Sequence, residues 1–183
     1  MQQLESSILE ELERLRCSYH HEMIEAECIE DCEAINLFGE KIGPFKKNLT
    51  YKLSFWKILP FIEKKYLRLP SKSQINSAFI QKLADSELEE IRLVKQKNDL
   101  FLELRESSCF IPNLIKNKKL PKDEMEKYQD RFDILFNQRI SKILQLASGN
   151  PSLEILDRLT SAERIIYNRL KNVINQYREF FSY

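Results

Sequence analysis

Few residues in this chain have the types and spacing for chemistry, and the best of them cluster near the N-terminus. His20 and His21 are adjacent, and Cys28 and Cys32 follow shortly after. Imidazole and thiolate are zinc ligands, so a structural metal site is the chemistry this set could perform. The C-x-x-x-C spacing lies at the edge of structural zinc patterns, and no second Cys/His pair lies nearby. Cys28 also falls on the inward parity of a strand pattern, where a thiol is simply a small hydrophobe. Free thiols are therefore expected, with no metal and no cofactor assigned. The two histidines are the only ones in the chain, so a Ser/His/Asp or Cys/His nucleophile would have to use one of them. A hydrolase built on Cys28, Cys32 and His21 is the catalytic alternative.

Other catalytic patterns are missing. The three glycines, at 39, 43 and 149, supply neither G-x-G-x-x-G nor a Walker loop. No G-x-S-x-G elbow occurs. Paired acids such as Glu89–Glu90 and Asp123–Glu124 sit on charged helix faces or helix starts, where carboxylates complement the helix dipole. The sequence is thus expected to be non-enzymatic.

A second candidate site is basic. Residues 41–72 hold 9 bases and 1 acid, whereas residues 1–40 hold 11 acids and 2 bases. Phe45, Tyr51, Phe55 and Trp56 are interleaved with the bases, which is the composition of a single-stranded nucleic-acid module. Lys46, Lys47, Lys64 and Lys65 are its candidate phosphate contacts. Tyr51 and Leu53 share a strand face, however, and Trp56 follows a helix cap, so the aromatics are expected in a core.

Residues 2–18 predict a helix, with Leu4, Ile8, Leu12 and Leu15 on one face. Alternation over Ile24, Ala26 and Cys28 predicts a strand. Short strands are expected at 35–38, 49–53 and 67–69, with a Gly43-Pro44 turn between the first two. Ser54 is placed to cap a helix from Phe55 to about Lys65, which Pro60 is expected to break or kink.

Beyond Ser73 the pattern is helical. Ile75, Phe79, Ile80 and Leu83 suit one helix. Ser86 with Glu89 reads as a capping box opening another, to about Glu106. Residues 107–119 read as a loop with a short helical or extended piece. Pro121 marks the start of a long amphipathic helix through Tyr128, Phe132, Leu135, Phe136, Arg139, Ile140, Ile143 and Ala147. Gly149-Asn150-Pro151 ends it. Thr160 with Glu163 caps a last helix carrying Ile166, Leu170, Val173, Ile174, Tyr177 and Phe181.

The expected fold class is α+β. A small β-rich domain with an N-terminal helix covers 1–70, and a larger all-α domain covers 73–183. The hydrophobic share of 43% and charged share of 31% are those of a globular protein. No apolar run reaches membrane-spanning length. The acidic, amphipathic N-terminus is unlike a signal or transit peptide, and an intracellular location is expected. The aromatic stripes of the last two long helices exceed what a domain of this size readily buries, which points to a mixture of bundle core and subunit interface.

These residues resemble a subunit of the GINS complex, the replication factor that joins the MCM helicase. The likeness is to the class with a small β-rich B domain first and a helical A domain second. Three segments carry it: LFGEKIGPFKKNLTYKLSFWKILPFIEKKYLRLP (37–70), RFDILFNQRISKILQLAS (131–148) and LTSAERIIYNRL (159–170). The N-terminal extension of some 20 residues departs from a compact class member. The resemblance implies a non-catalytic scaffold in a tetramer with sister subunits of reversed domain order. Its implied partners are MCM and a RecJ-like or Cdc-type replication protein, with DNA contact weak or indirect and no membrane. It implies assembly contacts through Phe132, Phe136, Arg139, Ile140, Ile143, Tyr167 and Leu170. Gly43, Pro44 and Phe45 would form the B-domain turn, and Trp56 would dock its helix. The location would be nuclear in a eukaryote, or cytoplasmic at the nucleoid in an archaeon.

Overall fold

A computed structural model of the chain describes residues 7–69, 76–116 and 118–182. Helix makes up 59% and strand 12%, with a small sheet region preceding a larger helical one, so the class is α+β. The chain packs as two units, one within Met1–Leu15 and Ile75–Tyr183, the other within Arg16–Gln74. The first helix, α1 (Ile8–His20), divides between them. Its opening half groups with the helical unit, not with the β-rich segment expected to hold it. Leu4, Pro70, Ile75 and the Ser-Lys-Ser linker lie outside the described residues.

The β unit is built on β1 (Met23–Cys28), β2 (Ile35–Leu37), β3 (Glu40–Ile42), β4 (Thr50–Ser54) and β5 (Leu67–Arg68). β1 is central, antiparallel to β4 and β5. Its register sets Ile24 opposite Leu53 and Ala26 opposite Tyr51. The inward parity read from the alternation is therefore the one that packs. β2 and β3 form a separate hairpin. The 35–38 run ends at Leu37, and the chain reverses at once into β3, because Phe38 and Gly39 both take positive φ, +50° and +85°, as a two-residue hairpin turn requires. Phe-Gly is a weak turn signal compared with Asn-Gly, which is why β3 escapes a sequence reading.

Gly43 is a position only glycine suits. Its φ is +99°, and a Cβ would come within 3.1 Å of the Ala34 Cα. The Gly43–Pro44 peptide is cis. Directly after it, Phe45 exchanges backbone hydrogen bonds with Cys32 at 2.9 and 3.0 Å and drops into the core.

The helix after β4, α2 (Phe55–Glu63), presents Phe55, Ile58 and Phe61 inward. Ser54 is its N-cap residue, but its hydroxyl contacts the Met23 Sδ at 3.6 Å and not a helix N–H. Pro60 does not break the helix. The next turn closes with Lys64 N–H donating to the Pro60 carbonyl, since proline lacks a donor but keeps its acceptor.

The helical unit contains α3 (Ser77–Glu89), α4 (Leu100–Ser108), α5 (Ile111–Lys116), α6 (Glu124–Ser148), α7 (Leu153–Leu156) and α8 (Ser161–Phe181). α3 packs along α6 and α6 along α8. The Ser86–Glu89 capping box does not form, because α3 runs through Ser86 while Ile80, Ala84 and Glu87 stay buried. Residues 90–99 are not helical, and Leu88 and Ile91 are exposed. Pro121 precedes α6 by one turn, its carbonyl accepting the Glu124 N–H. The Thr160–Glu163 capping box is present in full.

Candidate protein-interaction surface

At the centre of the helical unit is a charge. Arg139 is 1% exposed and Glu87 fully buried. The apolar stripe of α6 places residue 139 inward, and an arginine there needs acids to meet it. Nη1 donates to Glu87 Oε2 at 2.7 Å and to the Val94 carbonyl at 3.0 Å. Nη2 donates to Glu163 Oε2 at 2.8 Å and to the Arg158 carbonyl at 3.3 Å. Nε donates to Glu163 Oε1. All five guanidinium donors are thereby used. Burial works to lower the Arg139 pKa, but the hydrogen bonds and charges of Glu163 and Glu87 outweigh it and hold it above its ordinary value.

Lys142, one turn on, reaches Glu87 Oε1 at 2.7 Å and the carbonyls of Glu87, Glu90 and Arg92. Two acids thus balance two bases. The bases also satisfy carbonyls at the end of α3 and in the segment that follows it, where a cation suits the helix dipole. Arg158 donates to the Leu93 carbonyl and the Ser161 N–H to the Asn98 carbonyl, so the 90–99 segment is stapled from several sides. A similar device starts α3, where buried Glu124 accepts the Ser77 N–H at 2.7 Å.

Above this lock lies an open groove of about 680 Å³. Phe132 and Phe136, one turn apart on α6, stack at 5.9 Å. Phe101 of α4 meets both edge-on, at 6.1 and 6.2 Å. Leu12, Met125, Ile140 and Ile166 extend the apolar lining, and Arg105, Asp130 and Asp133 are among its polar residues. Phe136 is 44% exposed, a large fraction for a ring in such a cluster.

A second apolar face is the end of α8. Val173, Tyr177, Phe180 and Phe181 are exposed, with Phe180 at 82%. Tyr177 and Phe181 touch at 4.8 Å, and Phe180 and Phe181 at 4.9 Å. α6 ends at Ser148, whose carbonyl accepts from Arg178, so Phe180 and Phe181 follow the last α8 residue bonded to α6.

The residues assigned to assembly therefore separate. Phe132, Phe136 and Ile140 line the groove. Arg139 and Ile143 border it but are buried inside the unit, so their energetic role is to hold α6 in place. Tyr167 and Leu170 belong to another cluster, with Leu93, Ile143, Ala147 and Leu159. Phe101 joins the surface without having been singled out, and Ile166 joins it from the last helical stripe. Phe101 lies in a stretch whose helix start was misplaced, which hid its face.

In the β unit, Lys46, Lys47, Lys64 and Lys65 are all exposed. Phe45 is core, edge-on to Tyr51 at 4.8 Å and Phe61 at 4.9 Å. Trp56 is not the residue that docks α2, a role taken by Phe55, Ile58 and Phe61. It is half-buried, with its ring 6.1 Å from Phe38 and 6.5 Å from His21, and the Lys57 ammonium 5.2 Å over it. Phe38, at the hairpin tip, is 92% exposed.

The thiols and histidines do not form a ligand set. Cys28 and Cys32 lie in the β core, donating to the carbonyls of Glu30 and Glu33. Burial pushes the Cys28 thiol up, the opposite of what a reactive thiolate needs. The His21 Nδ1 is bonded to the Cys17 carbonyl. Among the described residues, no three His, Cys, Asp or Glu side chains gather as a metal would require. Nor is any helix among them long and apolar enough to cross a membrane. No protein-family model and no curated protein matches the chain.

Proposed function

We propose that this chain is a non-catalytic subunit of a GINS-like replication complex, acting by binding energy and not by chemistry. The observation that carries the reading is the open aromatic groove of the helical unit. Its rings at Phe101, Phe132 and Phe136 sit on a rigid, fully hydrogen-bonded base. Buried aromatic anchors surrounded by polar residues are the anatomy of a subunit contact. In this reading sister subunits cover the groove and the end of α8, and the assembled tetramer holds MCM and a RecJ-like or Cdc-type partner together. Co-expression with a sister subunit of reversed domain order, followed by mass measurement, tests it. The expected product is a stable tetramer, with the chain alone self-associating or poorly soluble. A monodisperse monomer indifferent to that partner overturns the reading.

A second reading is single-stranded nucleic-acid binding by the β unit. The exposed ring of Phe38, which meets the half-buried Trp56, and four exposed lysines in the same unit support it. It requires salt-dependent binding of an oligonucleotide by the isolated chain, lost on replacing Lys46, Lys47, Lys64 and Lys65 together.

A further inference from the structure

The groove already has a resident. α1 holds its own first turn, because the Ser7 hydroxyl accepts the Glu10 N–H at 3.1 Å and the Glu10 carboxylate accepts the Ser7 N–H at 3.2 Å. Its opening half enters the groove lining with a single side chain, Leu12. Two acids tie it to flanking helices. Glu13 meets Arg105 of α4 at 3.5 Å, and Glu11 meets Arg169 of α8 at 2.5 Å. The seat is light. No residue from Ile8 to Leu15 is buried, and Leu9 points largely to solvent. Across the groove Phe136 stays open.

We propose that the opening half of α1 is an internal ligand of this groove, and that the external partner is a helix of the same chemistry. That partner carries an apolar stripe with carboxylates along the flank that meets Arg105 and Arg169. Charge complementarity identifies it, since α1 itself shows which charges these two arginines accept. An amphipathic helix lies in such a groove through anchors at i, i+3 or i+4 and i+7. α1 fills one anchor position and leaves the stacked phenylalanines to a longer stripe, so an outside helix that covers both displaces it. Being tethered, α1 competes at a high effective concentration. The intact chain therefore binds such a helix more weakly than a chain whose strap is undone. This inference rests on reading the groove as a subunit interface.

The test uses the full chain and a fluorescent peptide of residues 7–20, the strap's own sequence. A chain carrying Glu11→Lys and Glu13→Lys together is expected to bind the peptide at least about tenfold more tightly than the intact chain. Adding Phe136→Ala, with helix content checked by circular dichroism, is expected to remove that gain. Equal affinity for the two chains, absence of binding to either, or indifference to Phe136→Ala overturns the inference. The same two chains are then offered to the sister subunit. Peptide discrimination without sister binding removes the scaffold reading and leaves this one. Sister binding without peptide discrimination does the reverse.

Discussion

The two units of this chain solve the same problem by opposite means. The β unit closes on an apolar core of Ala26, Cys28, Cys32, Ile42, Phe45, Ile58, Phe61 and Leu67, and among the described residues no buried charged side chain lies in it. The helical unit buries Glu87, Glu106, Glu124, Arg139 and Glu163, and splits its apolar residues into two clusters around the Arg139 network. The difference teaches what the charges are for. In the β unit, backbone groups find partners in strand ladders and a short helix. In the helical unit, a non-helical segment at 90–99 has no ladder or helix of its own, and several of its carbonyls take side-chain donors instead. Arg139, Lys142 and Arg158 supply them. Buried acids then neutralise the donors.

The hardest test of this contrast is Arg139→Ala. It strands Glu87 and Glu163 without their guanidinium, and is expected to cost about 3–5 kcal/mol, as breaking one side of a buried pair does. Thermal unfolding should show the loss in the helical unit, while amide spectra of residues 16–69 keep their dispersion. Loss of dispersion in residues 16–69 as well would overturn the assignment of this network's contribution to the helical unit. The matching change in the β unit is Ile58→Ala, expected to cost about 2–5 kcal/mol through lost burial and a residual cavity. Urea titrations at low and high salt should give the same cost, because no charge is involved.

The smallest effect concerns pH. Tyr128 donates its hydroxyl to the Leu104 carbonyl at 2.5 Å, and burial raises its phenol above the ordinary value. A folded pKa above the unfolded value of about 10 contributes stability that is present below that pH and lost as pH rises through the folded pKa. The chain should therefore lose stability on the alkaline side. Tyr128→Phe should show a shallower decline, at a neutral-pH cost of about 0.5–1.5 kcal/mol for the hydrogen bond. Equal alkaline slopes for the two proteins would remove Tyr128 from the helical unit's account.

Much of this contrast is legible in the residues. Alternation over 24–28 and at Tyr51 and Leu53 places the sheet faces correctly, because a period of two leaves one choice of inward side, whereas Leu49 falls before β4 and is exposed. The Thr160–Glu163 box reads directly, because it is a local exchange of two hydrogen bonds. The same pattern at Ser86–Glu89 misleads, because burial of α3 against α6 outweighs a local cap preference. Arg139 stands on the apolar stripe of its helix, a signal that it meets a buried acid. Read as a contact for another chain, it proves internal.

For the surface, periodicity along the chain shows that the long helices carry more aromatic stripe than one bundle readily buries. It also determined the order of a β-rich segment before a helical one, since periodicity is a property of neighbours along the chain. Packing sets which aromatics face outward, brings Phe101 to Phe132 and Phe136, and lays Trp56 beside Phe38. It alone decided that the acids of α1 meet Arg105 and Arg169. These are pairings between residues far apart in the chain, and no local period encodes them. They follow from which helix lies against which, and from where one helix ends before its neighbour does.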